Sequence, residues 1–291
     1  MVHDRAVTAI RGRAGRLPAA LVLAGPTRAA PVLAALMLVL VLALSLPSHA
    51  APAQEAAPTV TLCYERADVR PWRTQAGEGL NFDLLRLVAE RADVTFNFQS
   101  MPFKRCLALL KANAVDGVFA VSFKPDRLEL GEYPGGATPD PSKRMHIDRY
   151  ILLRRKGSAL DWDGKALRNV DGAIGAQLGY SITDQLRSLN VTVDEGSQRS
   201  DELIRKLLAG RVAGAALGGS DARTLLDGPY GPQIEACPIP LVEKPYFLML
   251  SHALVEKQPA LAQRIWATIE QVRNSPAYRQ LERADSKGAR R

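Results

Sequence analysis

The 291-residue chain is poor in the residues that build metal and redox centres. It holds 3 cysteines, Cys63, Cys106 and Cys237, and 4 histidines. None falls at a spacing such as C-x-x-C or H-x-x-x-H, so no metal site is indicated and no cofactor is expected. Neither His146 nor His252 stands in a motif that would make Cys63 a nucleophile. Long hydrophobic runs are scarce too. The longest, VLAALMLVLVLALSL from Val32 to Leu46, has fifteen residues, short of the ~20 needed to cross a bilayer. Residues 59–285 show no internal repeat and no low-complexity tract, which excludes a repeat array. With 47% hydrophobic and 23% charged residues, the chain is neither a disordered tail nor a multi-span membrane protein.

What is there begins with charge, and it is unevenly placed. The formal net charge is +8. Residues 1–50 hold five arginines (Arg5, Arg11, Arg13, Arg16, Arg28) against the single acid Asp4. The remainder keeps 33 basic and 29 acidic residues, so half of the excess lies in the first fifty positions. A nucleic-acid partner inferred from total charge loses its footing. Arginines, then the apolar run, then Pro47 and Ser48-His49-Ala50 match a secretory signal peptide cut after Ala50. An uncleaved N-terminal anchor is the alternative. No cysteine sits at the cut, so a lipoprotein is not indicated, and no twin-arginine pair precedes the run. The expected mature chain, 51–291, is one large domain or two small lobes in an oxidising, periplasmic compartment.

Local pattern gives the order of elements. Thr59–Tyr64 alternates and is β-branched, as a strand. Residues 81–92 place Phe82, Leu85, Val88, Ala89 and Ala92 on one helical face. A strand over 94–98 follows, then a helix over 102–112 with Phe103, Cys106, Leu107 and Leu110 on its apolar face, then the strand VDGVFAV at 115–121. Residues 131–148, rich in Gly and Pro, read as loop. A strand over 150–155 leads to a second set. It comprises a strand over 173–177, a helix over 181–189 capped by Ser181, a strand over 191–194, a helix over 200–209, a strand over 212–217, and a short helix capped by Ser220. Residues 228–245 read as irregular. A strand over 246–251, a helix over 259–273 and a last helix over 276–283 complete the chain. This is an α/β protein with two β-α units and two crossings, near 149–155 and 244–250, on the plan of a hinged pair of lobes. In such a layer, a strand end and the start of the following helix lie close together. Cys63–Cys106 is therefore the candidate disulfide, with two buried free thiols as the alternative and Cys237 left over.

These residues resemble a known family. EGLNFDLL at 78–85, KRCLALLK at 104–111, DGV at 116–118 and KPDRLE at 124–129 occur in this order. GAQLGYS at 175–181 and LAGRVA at 208–213 follow. Together they resemble the extracellular solute-binding proteins of family 3, type 2 periplasmic binding proteins best known as receptors of polar amino-acid ABC transporters, over essentially all of 59–285. CYE near the start and KRC on the second helix point to a divergent branch. The resemblance implies two lobes, each a mostly parallel sheet flanked by helices. It gives lobe 1 as 51–148 and 246–291, with lobe 2 as 149–245.

The resemblance also implies a ligand site. Arg127 matches the arginine that clamps a ligand carboxylate, a role suited to a planar guanidinium. Ser122 matches a hydroxyl on the same carboxylate, and Ala120 a backbone contact. Gly179, Tyr180 and Ser181 match a helix start facing the cleft. Glu65 matches an acid at the first strand's end, while Trp72 and Tyr64 match aromatics over the ligand. One departure stands out. Gly218 occupies the place where family members that bind amino acids carry an aspartate for the ligand's ammonium. Asp221 serves only if the loop shifts by three residues. The expected protein is a monomeric periplasmic receptor. It passes a small carboxylate-bearing ligand to an ABC-type permease, or reports it to a membrane sensor. A lyase on the same scaffold, resembling cyclohexadienyl dehydratase with Glu65 as acid, is the alternative.

Overall fold

The computed structural model describes residues 56–288, so the expected signal segment lies outside the described residues. Thr59–Glu65 (β1) is followed by Leu80–Ala92 (α1), Thr95–Met101 (β2), Phe103–Lys111 (α2) and Gly117–Ser122 (β3). Strand β1 pairs in parallel with both β2 and β3. A long strand, His146–Arg155 (β4), precedes the small hairpin Asp161–Trp162 (β5) and Leu167–Arg168 (β6). The second parallel set is Ile174–Gln177 (β7), Ile182–Ser188 (α3), Val193–Ser197 (β8), Ser200–Leu208 (α4) and Gly214–Gly218 (β9). Here β7 is central, parallel to β8 and β9. Then come Gly219–Asp227 (α5), Ile234–Ala236 (β10), Val242–Leu250 (β11), His252–Lys257 (α6), Pro259–Arg273 (α7) and Pro276–Gly288 (α8).

The strands join in the order β2-β1-β3-β11-β4-β9-β7-β8, with β10 on β4. The two parallel triplets are linked by β4 and β11, antiparallel to each other from Val242↔Tyr150 to Tyr246↔His146. Each triplet has its own apolar layers. Leu62, Leu84, Leu85, Leu248 and Trp266 pack in one half. Leu152, Leu160, Ile174, Ile182 and Leu186 pack in the other. Burying each such side chain contributes roughly 1.5–3 kcal/mol. Helix α7 is amphipathic, inserting Leu261, Ile265, Trp266, Ile269 and Val272. Its Trp266 indole donates to the Leu248 carbonyl at 2.9 Å.

Some local expectations change. The stretches read as loop at 131–148 and 228–245 contribute the start of β4, all of β10 and the start of β11. Their pairing is long-range, which local turn chemistry does not encode. Ser220 is not a cap, because α5 begins at Gly219, directly after β9. Ser181 does occupy the N-cap position of α3, but its side chain makes no capping bond. Its hydroxyl lies 2.8 Å from that of Ser122 instead. Cys63 and Cys106 are disulfide-bonded with Cα atoms 5.6 Å apart, joining β1 to α2, and Cys237 is free and buried. Among the described residues, no helix is long and apolar enough to cross a membrane.

Candidate functional site

A cavity lies where the ends of β1, β3 and β9 meet β4, β11 and the start of α3. Its space is about 490 Å³, solvent at the mouth included. Seven of the nine residues that the resemblance matched to the ligand site line it: Arg127, Ser122, Ala120, Glu65, Trp72, Tyr180 and Ser181. Gly179 stands beside it, its carbonyl accepting from Arg127. Tyr64 is elsewhere, stacked on Phe119 in the apolar core with its hydroxyl on the Gln75 carbonyl.

Strand β3 delivers the cationic end. Ala120, inside the strand, has φ 58, a left-handed conformation that costs a non-glycine residue energy. The opposing β11 shifts register between Phe247 and Met249, so the pair is irregular at the cavity wall. After Ser122 the chain turns through a 3-10 segment, Pro125–Glu129, and returns Arg127 to the strand end. Arg127 is 3% exposed. Its guanidinium donates to the Ser122 carbonyl and, at 2.8 Å, to the Gly179 carbonyl, and lies 5.3 Å from the Phe103 ring centre. Among the described residues no carboxylate forms an ion pair with it. Lys244 approaches the same end, with Nζ donating to the Ser181 carbonyl at 3.0 Å and to its Oγ at 3.2 Å. Burial, then Arg127, lowers the Lys244 pKa to about 8. Gly179 has φ 79, a turn that favours glycine.

The other end is acidic. Glu65 Oε2 accepts from Arg73 Nη2 at 2.6 Å and from the Tyr180 hydroxyl at 2.7 Å. Asp221 sits in the first turn of α5 and Asp148 on β4, and both line the cavity. The expected loop shift is not needed, because α5 starts at the strand end and carries Asp221 inward beside Gly218. Burial raises the Asp221 pKa to about 7, with Glu65 adding to the effect. Burial likewise raises that of Asp148.

Between these ends stands a ring stack. The His146 imidazole lies between Trp72, at 4.1 Å, and Tyr246, at 4.9 Å, nearly parallel to both. Burial, then Arg73, drives its pKa down to about 3, so the ring is neutral. Its Nδ1 is buried without a hydrogen-bond partner. Among the described residues, no cluster of His, Cys, Asp or Glu is fit to hold a metal ion.

Sequence reasoning missed Arg73, His146, Asp148, Tyr150 and Lys244 as site residues. Arg73 follows Pro71-Trp72, already a candidate, and proximity alone was a usable signal. Asp148 and His146 lie in the stretch read as loop, where nothing local marked them.

No family model matches the sequence, and no curated protein matches it. Solved structures match the fold at low identity. A histidine kinase sensor domain with similarity to periplasmic binding proteins superposes with TM-score 0.64 at 15% identity, over 79% of this chain and 97% of that one. The substrate binding protein of an amino acid ABC transporter gives 0.57 at 16%, over 77% and 96%. The ancestral amino acid-binding protein AncCDT-1, a precursor of cyclohexadienyl dehydratase, gives 0.59 at 14%, over 78% and 94%. The chain therefore has the two-lobed α/β fold of the type 2 periplasmic binding proteins, the fold of the family that its motifs resemble.

Proposed function

We propose that the chain is a periplasmic receptor that captures a small carboxylate-bearing ligand between two lobes. The lobes are 51–148 with 246–291, and 149–245. One observation carries this reading. Arg127 is a buried cation on the cavity wall whose present partners are backbone carbonyls, while no carboxylate of the described chain pairs with it. A ligand carboxylate supplies the missing charge through two parallel hydrogen bonds. The Ser122 and Ser181 hydroxyls are bonded to each other at 2.8 Å, with the Ser122 hydroxyl 3.5 Å from Arg127 Nη1, so both stand beside that position. Glu65, Trp72, Tyr180 and the backbone at Ala120 and Gly179 complete the contact set. The ligand, an amino acid or a related acid, gains its last contacts when the second lobe closes, and shifts the population toward the closed form.

Export as a cleaved, monomeric periplasmic protein fits the leader-like first fifty residues. Delivery to an ABC-type permease draws support from the likeness to a transporter's binding protein, and reporting to a sensor from the likeness to a kinase sensor domain. Calorimetry of 51–291 against carboxylates, amino acids and amines tests the core of this reading. Carboxylates bind, and Arg127→Ala abolishes binding while the fold, checked by circular dichroism, is kept. Binding that survives Arg127→Ala sinks the proposal.

A lyase is the second reading, favoured by one observation. Burial raises the Asp221 pKa to about 7, which makes it a cleft acid poised to carry a proton near neutral pH. Glu65 is committed to Arg73 and Tyr180. Turnover of a bound cyclohexadienyl acid, lost in Asp221→Asn, distinguishes an enzyme from a receptor.

A further inference from the structure

The cationic end holds a second, half-buried cation to which the receptor reading gives no role. Lys244 stands on β11, one of the two strands that link the parallel triplets. Its side chain reaches across to the start of α3. Nζ donates to the Ser181 carbonyl at 3.0 Å and to Ser181 Oγ at 3.2 Å. The other groups around it hold it without neutralising it. Tyr150 on β4 places its ring centre 6.0 Å from Nζ. Arg127 and Lys124, both after β3, are like charges, and Asp184 on α3 is the acid that faces it. Asp184 is already bound by Lys124 at 3.3 Å and by Arg187 at 3.5 Å. Asp148, opposite Lys244 in the strand register, accepts from the Arg149 amide at 2.8 Å. Glu243, beside it on β11, pairs with Arg149 at 3.5 Å. Among the described residues no carboxylate forms an ion pair with Lys244.

We propose that Lys244 is a positioning residue for the ligand's carboxylate and that it acts through the Ser181 hydroxyl. This rests on the receptor reading above and deepens it by naming what aims the hydroxyl pair.

Counting hydrogens shows how. An ammonium has three hydrogens and no lone pair. Ser181 Oγ is therefore the acceptor toward Lys244, and its own hydrogen must point away from Nζ. On that other side stands Ser122 Oγ at 2.8 Å, itself 3.5 Å from Arg127 Nη1. Two cations thus bracket two hydroxyls. The hydroxyls carry two hydrogens and share one bond, so the pair can turn a hydrogen to an incoming carboxylate oxygen. With the ammonium in place, Ser181 donates away from Lys244 and toward the anion. Without it, the hydroxyl can rotate and present a lone pair, which repels a carboxylate. Burial, then Arg127, lowers the Lys244 pKa to about 8, so the aid is nearly full at pH 7 and fades above 8.

Calorimetry of the wild type, Lys244→Met and Lys244→Arg from pH 6.5 to 9.5 tests this, with glutarate, L-glutamate and L-arginine as probes. Affinities are compared between variants at each pH, so the titration of a probe's own groups cancels. Lys244→Met, its fold checked by circular dichroism, is expected to bind about tenfold more weakly than the wild type at pH 6.5. The gap closes to within about twofold at pH 9.5, where the wild-type amine is neutral. Lys244→Arg stays charged throughout, so it binds better than Lys244→Met at every pH and shows no such fade. In the Ser181→Ala background Lys244→Met costs less than about threefold, because the hydroxyl it aims is gone. A gap that does not change with pH, or an undiminished cost in that background, overturns the positioning role. Binding that Arg127→Ala abolishes and Lys244→Met leaves intact at every pH sinks that role alone. If none of the three probes binds the wild type, the receptor reading falls and the role of Lys244 with it.

Discussion

The two ends of the cavity are oppositely made. At one, Arg127 is a cation held by the carbonyls of Ser122 and Gly179. At the other, three carboxylates share Arg73, and only Glu65 is paired with it. Arginine keeps its charge when buried, whereas a buried carboxylate can give its charge up by taking a proton. The arginine end is thus a fixed charge that waits for an anion, and the aspartate end an adjustable one. On the receptor reading proposed above, a ligand's carboxylate would meet the fixed charge and the adjustable end would adapt to the rest.

The largest expected effect is at the fixed end. Arg127→Ala removes the only guanidinium there, and removing one partner of a buried pair costs about 3–5 kcal/mol. Affinity for any carboxylate ligand falls by at least about a hundredfold in calorimetry. Arg127→Lys restores the charge but not the fork, and regains only part of the loss. Equal affinities for Arg127→Lys and wild type would break the contrast between the ends.

The next effect concerns what holds the fixed end in place. The disulfide ties β1 to α2, and α2 begins with Phe103, whose ring packs on Arg127. Cys63→Ser with Cys106→Ser lowers unfolding stability by roughly 2–4 kcal/mol in urea titration, since the bridge closes a separation of 43 residues. A loss below 1 kcal/mol would show that packing alone positions the helix.

How much of this was legible follows the same division. Arg127 stands in KPDRLE and Ser122 five residues before it, and the family resemblance that this motif helps to carry marked both. The parallel triplets announced themselves through β-branched runs and helical faces, as did α7 from Pro259 to Arg273. The acidic end did not. Asp148 and His146 belong to a strand that exists because β11 pairs with it from Lys244↔Asp148 to Tyr246↔His146. Pairs about a hundred residues apart leave no local trace. Asp221 was visible but set aside, because a loop was expected where β9 runs straight into α5.

The adjustable end offers a subtler break. His146 has a folded-state pKa of about 3, far below 6.5. Its neutral form supplies stability that is complete above pH 6.5 and is lost as pH falls toward 3. Between pH 6.5 and 5 that loss amounts to about 2 kcal/mol. Asp221 works the other way, gaining stability as pH falls from about 7. In the wild type the two slopes oppose each other over this window. His146→Phe, which keeps a ring between Trp72 and Tyr246, should therefore melt higher as the solution is acidified from pH 6.5 to 5. Asp221→Asn should melt lower over the same interval. Parallel slopes for the two variants would mean that neither group titrates as its burial demands.

The smallest effect tests where the two ends meet. Ser122 Oγ, on β3, and Ser181 Oγ, at the N-cap of α3, are 2.8 Å apart and buried. This is a contact between the two halves of the sheet that needs no charge. A neutral buried hydrogen bond contributes about 1 kcal/mol net. Ser122→Ala, Ser181→Ala and the double variant form a cycle whose coupling in urea denaturation should be about 0.5–1.5 kcal/mol. Ser181 also accepts from Lys244, so Ser181→Ala alone should cost more than Ser122→Ala. A ligand carboxylate that takes both hydroxyls as donors replaces their mutual bond. The coupling measured with saturating ligand should then shrink toward zero, while the cost of each single variant to affinity rises. An unchanged coupling would put the carboxylate elsewhere on Arg127, away from the hydroxyl pair.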